Sequence, residues 1–231
     1  MGITKETFDI YKRIYKSNHI DFNKRLKVMD FGAQTIHFDD IGVYNSFLDE
    51  ISSQISLNHL KYNSPAKDFH ESMGHEYDCV DLDPLIPTAL KWDLNTQVCP
   101  DDVKNKYDMV SNHGTTEHLI GQVSAFKLMH DLTKPNGIML HSLPCVEPNH
   151  GFFSYSPVFF KSLSHANDYE ILFFALTPLM NQHHPVSFHV DVNIPACMQQ
   201  YPSCYVHVVF KKKNADEFKL PTQIFQFGEK R

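Results

Sequence analysis

Apolar positions along this chain fall into two alternating periods, one helical and one strand-like. Between Thr4 and Ser17, Phe8, Ile10, Tyr11, Ile14 and Tyr15 recur at roughly helical spacing. This predicts a helix packed on the body or used as a lid. Leu26-Lys27-Val28-Met29-Asp30-Phe31-Gly32 then reads as a short strand entering a turn. Val43, Phe47, Leu48, Ile51 and Ile55 mark one side of a helix over 41–57, and Ser64-Pro65 supplies the cap and first turn of another ending near Gly74. Strands are predicted at 77–83, near 90–94, and at 107–111. A helix opens at Thr116-Glu117, with Leu119, Val123, Phe126, Leu128 and Met129 as its buried stripe. Lys134-Pro135-Asn136-Gly137 is a turn leading into a strand over 138–143 that Pro144 ends. A helix at 157–166 and strands at 169–176 and 204–211 complete the pattern, and the Pro-, Asn-, Gln- and His-rich stretch 177–203 stays unassigned. Short strands alternating with longer helices predict an α/β fold, a mostly parallel sheet with helices on both faces.

Composition narrows this picture. The 231 residues are 42% hydrophobic, enough for one core, and no repeat or linker divides them. A single domain over 1–231 is expected, with 1–25 as a helical extension and 35–75 as an enlarged helical connection. The 18 Phe and 10 Tyr predict an aromatic core or a lined pocket, and the aromatic N-terminal helix is a candidate homo-oligomer interface. A formal charge of −6 argues against a domain that grips a phosphate backbone. Five Cys without a C-x-x-C pair fit a reduced, cytoplasmic compartment better than a disulfide framework. The polar start of the chain shows no signal peptide, and no apolar run is long enough to span a membrane.

Candidate chemistry gathers at three predicted strand ends, where an open parallel sheet binds its ligands. In Asp30-Phe31-Gly32-Ala33-Gln34, the glycine lets the backbone approach a ligand, or serves only a tight turn. Asp81 ends the next strand, where a carboxylate can accept both hydroxyl hydrogens of a ribose, or cap a turn. Asp108-Met109-Val110-Ser111-Asn112-His113-Gly114 places small and polar groups where two ligands could meet. Asp93-Leu94-Asn95, after Trp92, is a fourth candidate.

Taken in order, Val28-Met29-Asp30-Phe31-Gly32, Val80-Asp81-Leu82-Asp83, Tyr107-Asp108-Met109-Val110-Ser111-Asn112 and Leu132-Thr133-Lys134-Pro135-Asn136-Gly137-Ile138-Met139-Leu140 resemble the class I S-adenosylmethionine-dependent methyltransferases. The resemblance implies a Rossmann-like sheet of seven strands whose last strand is antiparallel, with S-adenosyl-L-methionine as cofactor. By it, Asp30 and Gly32 lie by the cofactor's methionine part, and Asp81 holds the ribose. Leu82 flanks the adenine, Asp93 or Leu94 covers its other side, and Asn112 belongs to the same crevice. This chain departs from the family's three alternating glycines, carrying Gly32, Gln34 and Ile36. Gln34 either replaces the lost glycine by hydrogen bonding or marks altered binding. A nicotinamide site would show G-x-G-x-x-G, and neither that motif nor a P-loop is present.

Methyl transfer needs an aligned nucleophile and a group to take its proton. His113 and Glu117, which would share a helical face if the helix had already begun, are candidates. So is His150, in the loop Pro148-Asn149-His150-Gly151-Phe152-Phe153. His118 and His141 read as structural. Glu117-His118 with His113, or His183-His184 with His189, could contribute ligands, but neither set has a strong metal spacing, so no metal centre is expected. Lys211-Lys212-Lys213 reads as a solvated triplet beside the final strand. The expected function is methyl transfer to an O or N atom of a small polar metabolite, such as a sugar. Nucleic acid is not the expected acceptor, because no Asn-Pro-Pro-Tyr-like tetrapeptide occupies 112–115. The alternative is a catalytically inactive methyltransferase-like binding or scaffold domain.

Overall fold

A computed structural model of the chain describes residues 2–147, 150–178 and 204–222. The sheet has the order β2-β1-β3-β4-β6-β5 and is built from β1 (Lys27–Phe31), β2 (Glu76–Val80), β3 (Tyr107–His113), β4 (Thr133–Val146), β5 (Glu170–Pro178) and β6 (Cys204–Lys211). β1 pairs in parallel with both β2 and β3, and β3 pairs in parallel with β4. The last strand, β6, runs antiparallel between β4 and β5. The chain leaves β1 toward β2 on one side and later returns to β3 on the other. A crevice must therefore open above the C-terminal ends of β1 and β3.

Six strands, not seven, pair among the described residues. The strand expected near 90–94 is reduced to one parallel bridge between Val80 and Leu90, in which Leu90 N donates to Cys79 O and Asp81 N donates to Leu90 O. Pro84 and Pro87 lie in the excursion, and Leu90 returns only to touch the edge of β2. The predicted stop at Pro144 is also corrected, since β4 runs through it. Pairing with β3 ends at His113 and Ser142, while Pro144 stays in register with Tyr205 of β6 and its carbonyl accepts from Tyr155 N, so the proline ring costs no bond to β3.

The helices are α1 (Lys5–Lys16), α2 (Ile41–Glu50), α3 (Ala66–Ser72), α4 (Gln122–Leu132) and α5 (Pro157–Asn167). Phe8 and Tyr11 of α1 are fully buried, and Phe8 meets the rings of Phe38, Tyr44, Phe47 and Phe69 at centroid distances of 5.0–5.5 Å. The N-terminal extension and the enlarged connection therefore share one aromatic core, and these rings face inward. Pro65, not Ser64, occupies the cap position of α3, and α2 ends earlier than predicted. The predicted helix start at Thr116 is a 3-10 turn (Thr116–His118), and α4 begins only at Gln122.

Lys212 is corrected as well: it is 1% exposed. Its Nζ donates to Asn105 Oδ1, His130 O and Thr133 O at 2.7–2.8 Å, tying β6 to the start of β4. Burial lowers its pKa to about 8. The described cysteines, Cys79, Cys99, Cys145 and Cys204, are buried free thiols. No described helix is long and apolar enough to cross a membrane. His183, His184 and His189 lie outside the described residues.

Candidate functional site

The crevice at the strand reversal has a volume of about 390 Å³, within the range of small-molecule sites. Its floor is Gly32, which leaves β1 at φ +81° with its N–H bonded to Val80 O. A Cβ there would meet Thr115 Oγ1 at 2.7 Å. Thr115 in turn donates to Phe31 O at 2.5 Å, so the turn after β3 is pinned against the end of β1. Glycine is required here both by backbone conformation and by this close approach.

Asp81 follows the last residue of β2. Its Oδ2 accepts from Ala33 N and its Oδ1 from Asp83 N, each at 2.9 Å. These bonds fix the carboxylate and leave each oxygen a further lone pair for a ligand hydroxyl. Leu82, Trp92 and Leu94 supply apolar surface, and Asp93 lines the same wall. Asp93 Oδ1 accepts from both the backbone and the side chain of Asn95, and these bonds lower its pKa.

Gln34 also lines the crevice and is buried. Its Nε2 donates to Phe31 O at 2.7 Å, while its Oε1 has no hydrogen-bond partner. A buried acceptor without a donor is costly, so this oxygen suits a cationic or N–H ligand group. Ile36 plays no part in the crevice. It is buried and bridges Ile3, with its N–H bonded to Ser64 O. The two lost glycines thus have separate explanations, one beside the ligand space and one in the core.

Three predicted residues stand behind the crevice wall. Asp30 is completely buried, accepting from Tyr77 at 2.8 Å and from Ser111 in a short contact, and burial raises its pKa to about 6. It joins β1 to both neighbouring strands beneath Gly32. Asn112 is within β3, with Oδ1 receiving Thr115 N and Thr116 N and Nδ2 donating to Thr116 Oγ1. It shapes the turn that closes the site. His113 also belongs to β3, so it shares no helical face with Glu117. It pairs in register with Ser142, which bonds His207 at 3.0 Å. Burial holds His113 at a pKa of about 3, with both ring nitrogens unpartnered.

Glu117, His118 and His150 come together at the crevice edge. Glu117 is wholly buried, with Oε1 3.5 Å from His150 Nε2 and 3.9 Å from His118 Nε2. Desolvation raises its pKa to about 7, with His150 opposing the shift. His118 lines the crevice itself, contrary to its structural reading. The turn carrying Glu117 is held rigidly, because Gln122 Nε2 donates to Thr116 O and Leu119 O at 2.6 Å. The Tyr155 hydroxyl lies 2.9 Å from Thr116 Oγ1 and 2.7 Å from Gln122 Oε1. Thr115 and Trp92 also line the crevice, and the one sequence signal for either is that the single Trp directly precedes Asp93.

No family model matches the sequence, and no curated protein matches it significantly. Solved structures do match. A candidate sarcosine dimethylglycine methyltransferase from Galdieria sulphuraria is 13% identical, with 89% of this chain and 85% of that one covered at a TM-score of 0.53. A SAM-dependent methyltransferase from Archaeoglobus fulgidus is 13% identical, covering 89% and 94% at 0.48. The 1,6-didemethyltoxoflavin-N1-methyltransferase of Burkholderia thailandensis, with S-adenosylhomocysteine bound, is 12% identical over 90% and 78% at 0.47. With the strand order and the reversal point described above, the first of these likenesses shows that the chain has the class I S-adenosylmethionine-dependent methyltransferase fold.

Proposed function

We propose that this protein is an S-adenosylmethionine-dependent methyltransferase acting on an O or N atom of a small polar metabolite. The observation that carries the reading is the crevice at the strand reversal, lined both by Asp81 with its fixed carboxylate and by Gln34 with its orphaned Oε1. Asp81 accepts the ribose hydroxyls, while Leu82, Trp92 and Leu94 enclose the adenine, with Asp93 at its edge. Gln34 Oε1 accepts from the ammonium of the methionine part, and Gly32 permits the close approach of the chain. When bound, the cofactor supplies an electrophilic methyl group on sulfur.

The acceptor enters beside His118, where the Glu117–His150 pair stands ready to take its proton. A carboxylate held near neutrality by burial suits that task at physiological pH. His113 is assigned a different part. Its depressed pKa makes it a poor base, so with Ser142 and His207 it contributes polarity to the neighbouring sheet face. Polar groups on both sides of the turn favour a polar acceptor.

Calorimetric titration with S-adenosylhomocysteine tests this reading. One site per chain is expected, and Asp81→Ala weakens it at least tenfold through loss of the ribose acceptor. Absence of binding by the folded protein would favour the inactive scaffold instead.

A further inference from the structure

The loop after β4 is bonded through its backbone to the turn after β3. Phe152 N and Phe153 N both reach Glu117 O, at 2.7 and 3.2 Å. Gly151 makes this possible with φ +68°, since a Cβ there would lie 2.9 Å from both Cγ and O of Glu117. The result brings His150 over Glu117, although 32 residues separate them in the chain. Residues far apart in sequence are thereby held against one carboxylate by backbone bonds.

That carboxylate is fully buried, and neither oxygen has a hydrogen-bond partner. His150 Nε2 is buried and likewise unpartnered. A buried carboxylate normally finds a donor or a cation, because burial strips its hydration and leaves the charge uncompensated. One ligand atom each from Glu117, His118 and His150 all lie within 4.8 Å of one another. Donors about 2.1 Å from a tetrahedral ion stand about 3.4 Å apart. The separations of 3.5 and 3.9 Å are close to that spacing and long for direct hydrogen bonds.

We infer that Glu117, His118 and His150 form a three-ligand site for a divalent cation of the zinc type. Two imidazoles and one carboxylate suit zinc better than magnesium or calcium, which prefer oxygen ligands. Three protein ligands leave at least one coordination position open. Because His118 lines the crevice, that position lies at its edge, where an oxygen of the acceptor can bind and become more acidic. With the cation present, Glu117 and His150 act as ligands, and the cation takes over the acidifying role. Use in methyl transfer rests on the methyltransferase reading above; occupancy of the site does not.

The test titrates zinc chloride calorimetrically into full-length protein stripped with chelator and dialysed. One site per chain with micromolar or tighter affinity is expected, and Glu117→Gln and His150→Asn each weaken it at least tenfold. Cobalt(II) loading adds a ligand-sensitive readout: a visible absorption band of a low-coordinate ion, lost in His150→Asn. S-adenosylhomocysteine affinity stays within about twofold in both variants. No zinc binding by the wild type, or unchanged zinc affinity in the variants, would overturn the site. Should Glu117→Gln fail to fold, His150→Asn in the surface loop decides the question alone. Zinc binding without S-adenosylhomocysteine binding upholds the cation site and counts against the methyltransferase reading; the converse overturns only the cation site.

Discussion

At the scale of single residues, the crevice depends on a few side chains whose neighbours give them their roles. Gly32 is the clearest case. A methyl group at this position would collide with Thr115 Oγ1 and force a left-handed conformation that costs roughly 1–2 kcal/mol. Gly32→Ala is expected to lower the melting temperature by several degrees and S-adenosylhomocysteine affinity at least tenfold, as seen by thermal melts and titration. Asp81 and Gly32 were readable from sequence because each ends a well-marked apolar strand. His150 could be placed near the site, but its meeting with Glu117 could not. That meeting depends on Gly151 and on two backbone bonds to Glu117, which no spacing encodes. Lys212 misled for the opposite reason. In a basic triplet it looks solvated, but just past the end of β6 its Nζ is buried against three acceptors.

At the scale of elements, amphipathic helices and apolar strands were predictable, while their ends depended on local hydrogen bonding. The helix after β3 begins late because Asn112 Oδ1 captures Thr115 N and Thr116 N and holds a 3-10 turn. The strand near 90–94 fails because its apolar residues, Trp92 and Leu94, line the crevice and do not extend the sheet. The aromatic residues of α1 proved to be core. Phe8 alone touches rings from α1 itself, α2, α3 and the connection at Phe38. Phe8→Ala is therefore expected to cost about 3–5 kcal/mol in urea unfolding. A loss below about 1 kcal/mol would show that α1 is only loosely docked.

At the scale of the whole molecule, the many histidines make folding sensitive to acid. His70, His75, His113, His130, His141 and His207 are all held neutral by burial, with pKa values below the ordinary imidazole value. Below pH 6.5 the unfolded chain binds protons that these sites refuse, so stability falls as pH drops toward 4. Asp30, raised to about 6, and Glu117, raised to about 7, work in the opposite direction: their contribution is present at low pH and lost as pH rises through those values. Six imidazoles outweigh two carboxyls. The urea midpoint should thus decline steadily between pH 6.5 and 4.5, and a flat profile would contradict the buried, neutral assignment.

The sheet order and its reversal point also decide where a ligand must sit, which makes one measurement the most direct. A crystal structure of the protein with S-adenosylhomocysteine should place the ribose hydroxyls on Asp81, the adenine against Leu82, Trp92 and Leu94, and the amino group at Gln34 Oε1. Ligand bound elsewhere, or a crevice that stays free of ligand at saturating concentration, would contradict the account.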